Sequence, residues 1–260
     1  MRRLILGGAA LLVVPALAFA GATVTDGTDT LKMKAKISPA KASKKKGPGR
    51  SVEVKYDYWA GTTDDSRLPD LRSVTVGLGG VLTHYDAFKK CDETDALNEG
   101  KKVCPKGSRV GSGTGVAEVH PPDSTTTKQD LKAKVIVFNG QLDTDRNGDP
   151  MDPPRDGLLL YTEVAGQRIV LPFWAENGGK GVTYLNPVDD PEPPADNTLY
   201  TIKEVHLVFP RRSVRQGRKR VPWMTAPKKC EGSWIASTTN DRYEGGELTA
   251  NHEVKCKKAG

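Results

Sequence analysis

Residues 52–59 have the sequence Val-Glu-Val-Lys-Tyr-Asp-Tyr-Trp, in which apolar or aromatic side chains alternate with charged ones. A period of two places successive side chains on opposite faces, which is the pattern of a strand buried on one face. The same alternation returns in residues 71–78 and 199–209. These three segments predict that strands, not helices, carry the fold.

Further strand-like segments occupy most of the remaining chain. They are residues 110–119, 131–138, 157–164, 168–174, 233–243 and 247–256. Val135-Ile136-Val137-Phe138 is a continuous apolar run, as expected for a strand that is buried on both faces. Short Gly-containing connections at 165–167 and 244–246 predict hairpins. Residues 86–99 are the one stretch that favours a short helix or an irregular loop.

Turn signals about 8–12 residues apart predict an all-β fold, an antiparallel β-sandwich of jelly-roll type, over residues 51–260. Proline-rich stretches at 150–154 and 187–194 are predicted as surface loops, because proline donates no hydrogen bond to a sheet. The sequence contains neither a repeat of fixed period nor a convincing second domain.

Residues 1–20 have the pattern of a secretory signal peptide. Arg2 and Arg3 precede an apolar stretch, and Ala18-Phe19-Ala20 places small side chains where a signal peptidase cuts. An uncleaved N-terminal anchor is the alternative, and Pro15 argues against it. No other apolar run reaches the ~18 residues of a membrane span. We therefore expect a secreted or cell-surface protein with no membrane span in the mature chain.

Positive charge is concentrated just after this segment. The full chain has a net charge of +7, and residues 32–50 contain eight Lys or Arg and no acid. Residues 51–260 carry 29 cations and 30 anions, a net charge of −1. We predict that residues 21–50 form a flexible basic arm, either a spacer or an attachment to anionic envelope polymers or phospholipid. A short strand over residues 31–37 is the alternative. Nucleic acid is not expected as a partner.

Four cysteines in an exported chain predict two disulfides. Three pairings are possible, and the most economical joins Cys91 to Cys104 and Cys230 to Cys256. Zinc is disfavoured, because no Cys-x-x-Cys is present and the four histidines have no ligand spacing.

Two motifs include these cysteines. The first is Cys104-Pro105 followed by Ser108-Arg109-Val110-Gly111-Ser112-Gly113; the second runs from Pro227 and Cys230 through Trp234, Tyr243 and Gly245 to Cys256. They resemble segments of a group of secreted, β-rich proteins from high-GC actinobacteria that have no assigned activity. The resemblance implies a secreted β-rich domain with two disulfides, and it implies no catalytic residues.

An acidic loop is the sharpest candidate for a metal site. It offers oxygen ligands at alternate positions, and a glycine permits a tight turn, which suits Ca²⁺. The candidate ligands are Asp143, Asp145, Asn147, Asp149 and Asp152. Residue 154 is proline where a helix–loop–helix site has glutamate, so an ordinary acidic hairpin loop is the alternative.

A second candidate is a cluster of six cations within ten residues, which would suit an anionic polysaccharide or envelope polymer. They are Arg211, Arg212, Arg215, Arg218, Lys219 and Arg220. A solvated loop is the alternative. The four tryptophans could stack on sugars, although core positions are more typical of such residues.

The sequence contains no signature of catalysis. Neither a Gly-x-Ser-x-Gly elbow nor a His-Glu-x-x-His motif occurs. We therefore expect a non-catalytic binding or structural module whose ligand the sequence does not identify. The second hypothesis is a secreted carbohydrate-active hydrolase or lyase that uses a carboxylate pair such as Glu163 and Glu176.

Overall fold

The computed structural model describes residues 21–44, 49–120, 129–144, 150–164, 166–178, 180–187, 199–243 and 245–259. These residues form eighteen β-strands, a 3-10 turn at Tyr85–Ala87 and one short helix, α1, at Glu93–Glu99. The predicted all-β class with antiparallel pairing is therefore confirmed. The helix and the 3-10 turn lie in the region for which the sequence favours a short helix or irregular loop.

The strands in chain order are β1 (Ala22–Asp26), β2 (Asp29–Ser38), β3 (Arg50–Ser51), β4 (Glu53–Thr62), β5 (Leu71–Gly79), β6 (Leu82–Thr83), β7 (Cys91–Asp92), β8 (Arg109–His120) and β9 (Gln129–Thr144). They continue with β10 (Pro150–Val164), β11 (Gln167–Gly178), β12 (Gly181–Pro187), β13 (Leu199–Phe209), β14 (Ser213–Gln216), β15 (Lys219–Pro222), β16 (Met224–Ala226), β17 (Ser233–Arg242) and β18 (Gly246–Lys255).

One large sheet contains thirteen of these strands. Its order is β1-β2-β4-β13-β8-β9-β10-β11-β12-β5-β17-β18, and β7 adds to β9 in parallel. The sheet curls until β18 lies beside β1 and β2. Across this seam the backbone N–H of Ala35 donates to Nδ1 of His252 at 3.2 Å, and Arg242 binds Asp26 and Asp29.

The architecture is thus a single rolled sheet that nearly closes into a barrel. The sequence predicts a sandwich, in which two facing sheets enclose the core. In the structure, one sheet encloses the core by curling around it. Strand twist accumulates over a sheet this wide, so its two edges come together around one interior. Leu31, Met33, Val54, Val76 and Leu160 are among the side chains buried in that interior.

The N-terminal arm requires correction. Residues 21–50 are predicted as a flexible basic linker, but Ala22–Asp26 and Asp29–Ser38 are strands of the sheet. In β2, Leu31, Met33, Ala35 and Ile37 are 0–3% exposed. The intervening lysines point outward, so strand alternation outweighs the local charge. The described part of the sheet therefore begins at Ala22, and residues 45–48 lie outside the described part of the chain.

One end of the rolled sheet is plugged. β3, β16 and β6 form a small three-stranded sheet there. Trp223 is fully buried beside it and packs edge-on against Tyr85 and Phe88, with ring centroids 5.4 and 5.2 Å away. We call this the plugged end; the end at which β4 finishes and β5 begins is the far end.

The outer face of β9 and β10 is covered by the segment that contains α1. Phe138, Leu142, Leu159 and Tyr161 form a second buried cluster there with Cys91 and Cys104. Val135 and Val137 face the main interior. The predicted burial of residues 135–138 on both faces is therefore confirmed.

Both predicted disulfides are present. Cys91 pairs with Cys104, with Cα atoms 4.8 Å apart, and Cys230 pairs with Cys256, with Cα atoms 6.0 Å apart. The second disulfide links the segment before β17 to the residue that follows β18. In the described part of the chain, no helix has both the length and the apolar character to span a membrane.

The proline-rich stretch at 150–154 also differs from the prediction. It opens β10 instead of forming a separate surface loop. The pairing of β10 with β9 shifts register between Pro150 and Arg155, and Pro153 and Pro154 are exposed. Proline is tolerated at such an irregularity, because no ladder hydrogen bond is required there. Of the stretch at 187–194, residues 188–194 lie outside the described residues.

Candidate functional site: an apolar cavity inside the rolled sheet

The interior of the sheet contains a cavity of about 400 Å³. Ala, Val, Leu, Ile and Phe make up most of its lining, which comes from β4, β5, β8, β9, β10, β11, β12 and β13. Along β10 the lining extends from Leu158 to Val164, a rise of about 20 Å at ~3.3 Å per residue. The cavity therefore follows the strands as a long apolar space.

Strand alternation places these side chains inside. In β10, Leu158, Leu160, Thr162 and Val164 line the cavity, and the residues between them face outward. The same period-two alternation of side chains is the basis on which the sequence predicts half-buried strands. The lining is thus a direct consequence of the alternating pattern.

Small residues on two neighbouring strands create the empty space. Gly115, Ala117 and Ala133 line the cavity from β8 and β9. A Cβ added to Gly115 would meet its nearest atoms, the Glu204 carbonyl oxygen and Val135 Cγ2, at 3.5 Å, which is ordinary contact. Leucine or valine at these positions would fill the volume that the cavity occupies.

Three buried tyrosines keep their hydroxyl groups paired around the cavity. Tyr56 shares a hydrogen bond of 2.8 Å with Thr238, and Asn240 Nδ2 donates to the Tyr58 hydroxyl at 2.9 Å. Tyr184 shares a bond of 3.0 Å with Thr83. Burial raises the pKa of Tyr58 to about 12 and opposes ionisation of the other two as well. These side chains are therefore neutral, and the cavity wall carries no phenolate charge.

Two polar side-chain atoms in the lining have no hydrogen-bond partner among the described residues. Asn186 is 2% exposed and donates through Nδ2 to the Pro172 carbonyl at 2.7 Å, while its Oδ1 is buried and unpaired. The Thr162 hydroxyl is also buried without a partner. A buried polar atom that makes no hydrogen bond costs about 1–3 kcal/mol. Both atoms belong to residues that face the cavity, so a ligand with a polar group could satisfy them.

Two carboxylates border the cavity, and each lies near a basic side chain. Asp70 accepts hydrogen bonds of 2.7 and 2.6 Å from Arg67. Glu204 Oε2 lies 3.9 Å from Nε2 of His206. None of the described lining residues is Ser, Cys, His or Lys. The described lining therefore holds no Ser–His or Cys–His pair of the kind used in covalent catalysis.

Among the described residues, the lining of the cavity opens toward the far end. Val116, Leu131, Val164, Ile169 and Ile202 line it there and are only half-buried. Toward the plugged end the lining includes Phe209, which is 3% exposed. A ligand would therefore enter from the far end.

The structure leaves the calcium prediction open. Asp145, Asn147, Asp149 and the side chain of Asp152 lie outside the described residues. Among the described residues, no group of three His, Cys, Asp or Glu side chains is placed to hold a metal. The calcium site therefore stays a prediction.

Asp143 is the described member of that set, and it lies against the disulfide-bonded segment. Its backbone N–H donates to Glu93 Oε2 at 3.3 Å. Burial raises the pKa of the Asp143 carboxyl to about 6, with further contributions from a hydrogen bond to Asp92 and from the charges of Asp92, Glu93 and Asp95. The neighbouring acidic side chains thus oppose ionisation of the Asp143 carboxyl.

The six predicted anion-binding cations lie in and beside the hairpin of β14 and β15. We call residues 211–222 the basic hairpin. All six cationic side chains are exposed. Arg211 donates to the Ser38 carbonyl at 3.3 and 3.1 Å, and Arg212 donates to the Arg109 carbonyl. The hairpin is thus attached at the plugged end, away from the opening of the cavity.

The carboxylates proposed for hydrolysis are not brought together. Glu163 pairs with Arg168 across the hairpin, and Glu176 lies eight residues further along β11, about 26 Å at ~3.3 Å per residue. Paired catalytic carboxylates of glycosidases lie within about 5–9.5 Å. Glu163 instead binds Lys101 at 2.8 Å and accepts from the Tyr161 hydroxyl. This pair does not form a glycosidase site.

The tryptophans do not form one binding platform. Trp223 and Trp234 are 0 and 6% exposed and belong to the core. Trp59 lies on the outside over Gly61, with the Lys32 ammonium 4.3 Å from its ring centroid. Core and packing roles account for these three side chains.

Sequence reasoning missed the cavity and its polar atoms. Asn186 precedes a proline-rich stretch and Thr162 occurs within an ordinary alternating strand, so neither carries a recognisable motif. The available signal was the glycine-rich stretch at 111–117, which lies within the predicted strand at 110–119 and does not by itself indicate a cavity.

Comparison with known proteins found no matching family model, no similar curated protein and no similar solved structure.

Proposed function

We propose that the chain is an exported, non-catalytic binding module that holds a single-chain apolar ligand, such as an acyl chain, inside its rolled sheet. The observation that carries this proposal is the elongated apolar cavity with an unpaired Asn186 oxygen in its wall. Ligand pockets of proteins typically have volumes of about 300–1,000 Å³ and combine apolar walls with a few polar groups. The cavity fits that description.

The size of the cavity favours one chain over a bulky ligand. A methylene group is close to a water molecule in size, which occupies ~30 Å³ of liquid volume. A cavity of about 400 Å³ therefore has room for roughly 13 such groups. Its length of about 20 Å along β10 favours a linear arrangement of them.

The polar atoms favour a ligand that carries a hydrogen-bond donor. Asn186 Oδ1 can only accept, and the Thr162 hydroxyl can donate or accept. An amide or hydroxyl group near one end of an apolar chain would satisfy them. This requirement supports an amphiphile over a plain hydrocarbon.

Export is supported by the two disulfides and by the secretory pattern of residues 1–20. A binding function is supported over hydrolysis by the chemistry of the cavity wall, whose described residues include no Ser, Cys, His or Lys. The separation of Glu163 and Glu176 weakens the hydrolase hypothesis further.

Blocking the cavity from within tests the proposal. We expect dodecanol to bind the wild-type protein in calorimetric titrations and to raise its melting temperature, because a ligand that binds only the folded state stabilises it. Ala133→Phe should weaken binding by at least about tenfold, or ~1.4 kcal/mol, because the ring would occupy the cavity. Ala117→Leu is a milder version if the larger side chain impairs folding.

Thr114→Phe is the matched control, because Thr114 is an exposed residue on the neighbouring strand β8. It adds the same ring to the outer face and should leave binding unchanged. The proposal is wrong if the wild-type protein binds no single-chain alcohol, amide or acid, or if both cavity variants bind as well as the control.

A further inference from the structure

The basic hairpin presents cations without neutralising acids. Residues 211–222 contain five Arg, one Lys and no Asp or Glu. Among the described residues, none of these cations forms a salt bridge. We propose that the basic hairpin binds a linear polyanion through its phosphate or carboxylate groups.

The hairpin is an ordered scaffold fixed at its base. Ser213 pairs with Pro222 and Val214 with Val221, and the Trp223 N–H donates to the Arg212 carbonyl at 2.8 Å. Phe209 and Trp223, which flank the hairpin, are buried in the core. The cations beyond the base are therefore held on a two-stranded frame, which lowers the entropy cost of ordering them on a ligand.

Two arginines face each other on this frame. Arg215 and Arg220 are direct cross-strand partners. Like charges directly opposite each other destabilise a strand pair, since their Cβ atoms are only about 4.5–5.5 Å apart. A phosphate or carboxylate between the two guanidinium groups would remove that repulsion. Guanidinium groups also match the geometry of both anions with paired hydrogen bonds.

The tip of the hairpin favours a polymer over a bilayer. Gly217 and Arg218 occupy the turn, and neither is an apolar or aromatic group that would enter a membrane. The apolar residues Val214 and Val221 are half-buried nearer the base. The exposed part of the hairpin thus offers charge without an insertion surface.

The hairpin and the opening of the cavity lie at opposite ends of the rolled sheet. A polyanion bound at the plugged end would leave the far end free. This proposal rests on the charges of the hairpin alone and does not depend on the ligand of the cavity.

Polymer binding by a charge-deleted hairpin tests the proposal. The variant Arg215→Gln/Arg218→Gln/Lys219→Gln/Arg220→Gln removes four cations and leaves the two arginines at the base. The matched control is Lys36→Gln/Lys132→Gln/Lys134→Gln/Lys255→Gln, which removes four exposed cations from other strands. The probes are linear polyphosphate, polygalacturonate and vesicles of phosphatidylglycerol, each titrated at several salt concentrations.

We expect the wild-type protein and the control to bind polyphosphate, polygalacturonate or both. The hairpin variant should bind at least about tenfold more weakly at low salt, and its slope of log Kd against log salt should fall by about three. Equal loss in the hairpin variant and the control would overturn the proposal, as would binding to the vesicles without binding to either polymer. Failure of both polymers to bind the wild-type protein would also overturn it.

Discussion

Asp143 is the described carboxyl group with a clearly raised pKa. Its carboxyl is partly withdrawn from water, shares a hydrogen bond with Asp92 and feels the negative charges of Glu93 and Asp95. These effects raise its pKa from 3.8 to about 6. The folded state therefore binds this proton more tightly than the unfolded state does. The stability that the protonated carboxyl contributes is present below about pH 4 and is lost as the pH rises toward 6.

The variant Asp143→Asn should therefore be more stable than the wild type at pH 7. Because the carboxyl is partly exposed, solvent screening reduces the expected gain in unfolding free energy to about 1 kcal/mol. The gain should vanish near pH 4, where the wild-type carboxyl is protonated. Urea unfolding of both proteins at pH 4 and pH 7 measures the difference.

Glu231→Gln provides the control for this experiment, because Glu231 is an exposed acid in the loop before β17. It should change stability by no more than about 0.5 kcal/mol at either pH. A destabilised Asp143→Asn at pH 7 would show that the carboxylate is held by a favourable partner, and calcium bound in the acidic loop would be the first candidate to test.

At the scale of elements, the β1–β2 hairpin closes the rolled sheet against β17 and β18. Arg242 has a side chain that is only 3% exposed, and it donates to Asp29 at 2.5 Å and Asp26 at 2.7 Å. It also donates to the Gly246 carbonyl at 2.9 Å. One guanidinium group thus joins two hairpins that are far apart in sequence.

Replacing Arg242 with glutamine should open this seam. Asp29, with a side chain 21% exposed, would lose its cation, and we expect a loss of about 2–3 kcal/mol in unfolding free energy. Hydrogen exchange of β1 and β2 amides should accelerate more than that of β9 and β10, because the N-terminal hairpin would detach first. Denaturant titration and exchange mass spectrometry measure the two effects.

Arg72→Gln is the matched control for the seam. Arg72 lies 3.9 Å from Asp241 with 55% of its side chain exposed, and such surface pairs contribute about 0–1 kcal/mol. An equal loss of stability in the two variants, or uniform acceleration of exchange, would show that Arg242 does not close the sheet.

β2 is an element for which the sequence is ambiguous between a strand and a flexible linker. Lys32, Lys34 and Lys36 belong to a charged run that favours a linker, yet the residues between them alternate as in a strand. Burial of Leu31 and Met33 inside the sheet decides the outcome. Because that burial depends on β4 and β18, local composition could not decide between the two structures.

The strands and both disulfides were predictable for a different reason. Alternation in β4 and the apolar run in β9 are local consequences of which faces are buried, and four cysteines allow only three pairings, of which the local one is the most economical. The order of the strands was not predictable, because neighbours such as β5 and β17 are separated by more than 150 residues. The rolled shape follows from that order.

At the scale of the whole molecule, the cavity is formed by residues none of which indicates a binding site on its own. Gly115, Ala117 and Ala133 become significant only because β8 and β9 face the interior beside larger side chains of other strands. Thr162 and Asn186 are separated by 24 positions in sequence and join the same wall through the sheet. A candidate site assembled from so many strands could not be recognised before the fold was known.

The same geometry sets a limit on ligand length, which a homologous series of 1-alkanols can measure. Each added methylene that is buried should improve binding by about 0.8 kcal/mol, close to fourfold in Kd. The improvement should stop near 13 carbons, because a cavity of about 400 Å³ holds roughly that many methylene-sized groups. Calorimetric titration of alcohols on either side of that length would locate the break.

Ala117→Leu should shift the break to shorter chains, and Thr114→Phe should leave it in place. An affinity that keeps rising with chain length in all three proteins would indicate binding to the outer surface, and the interior cavity would then not be the ligand site.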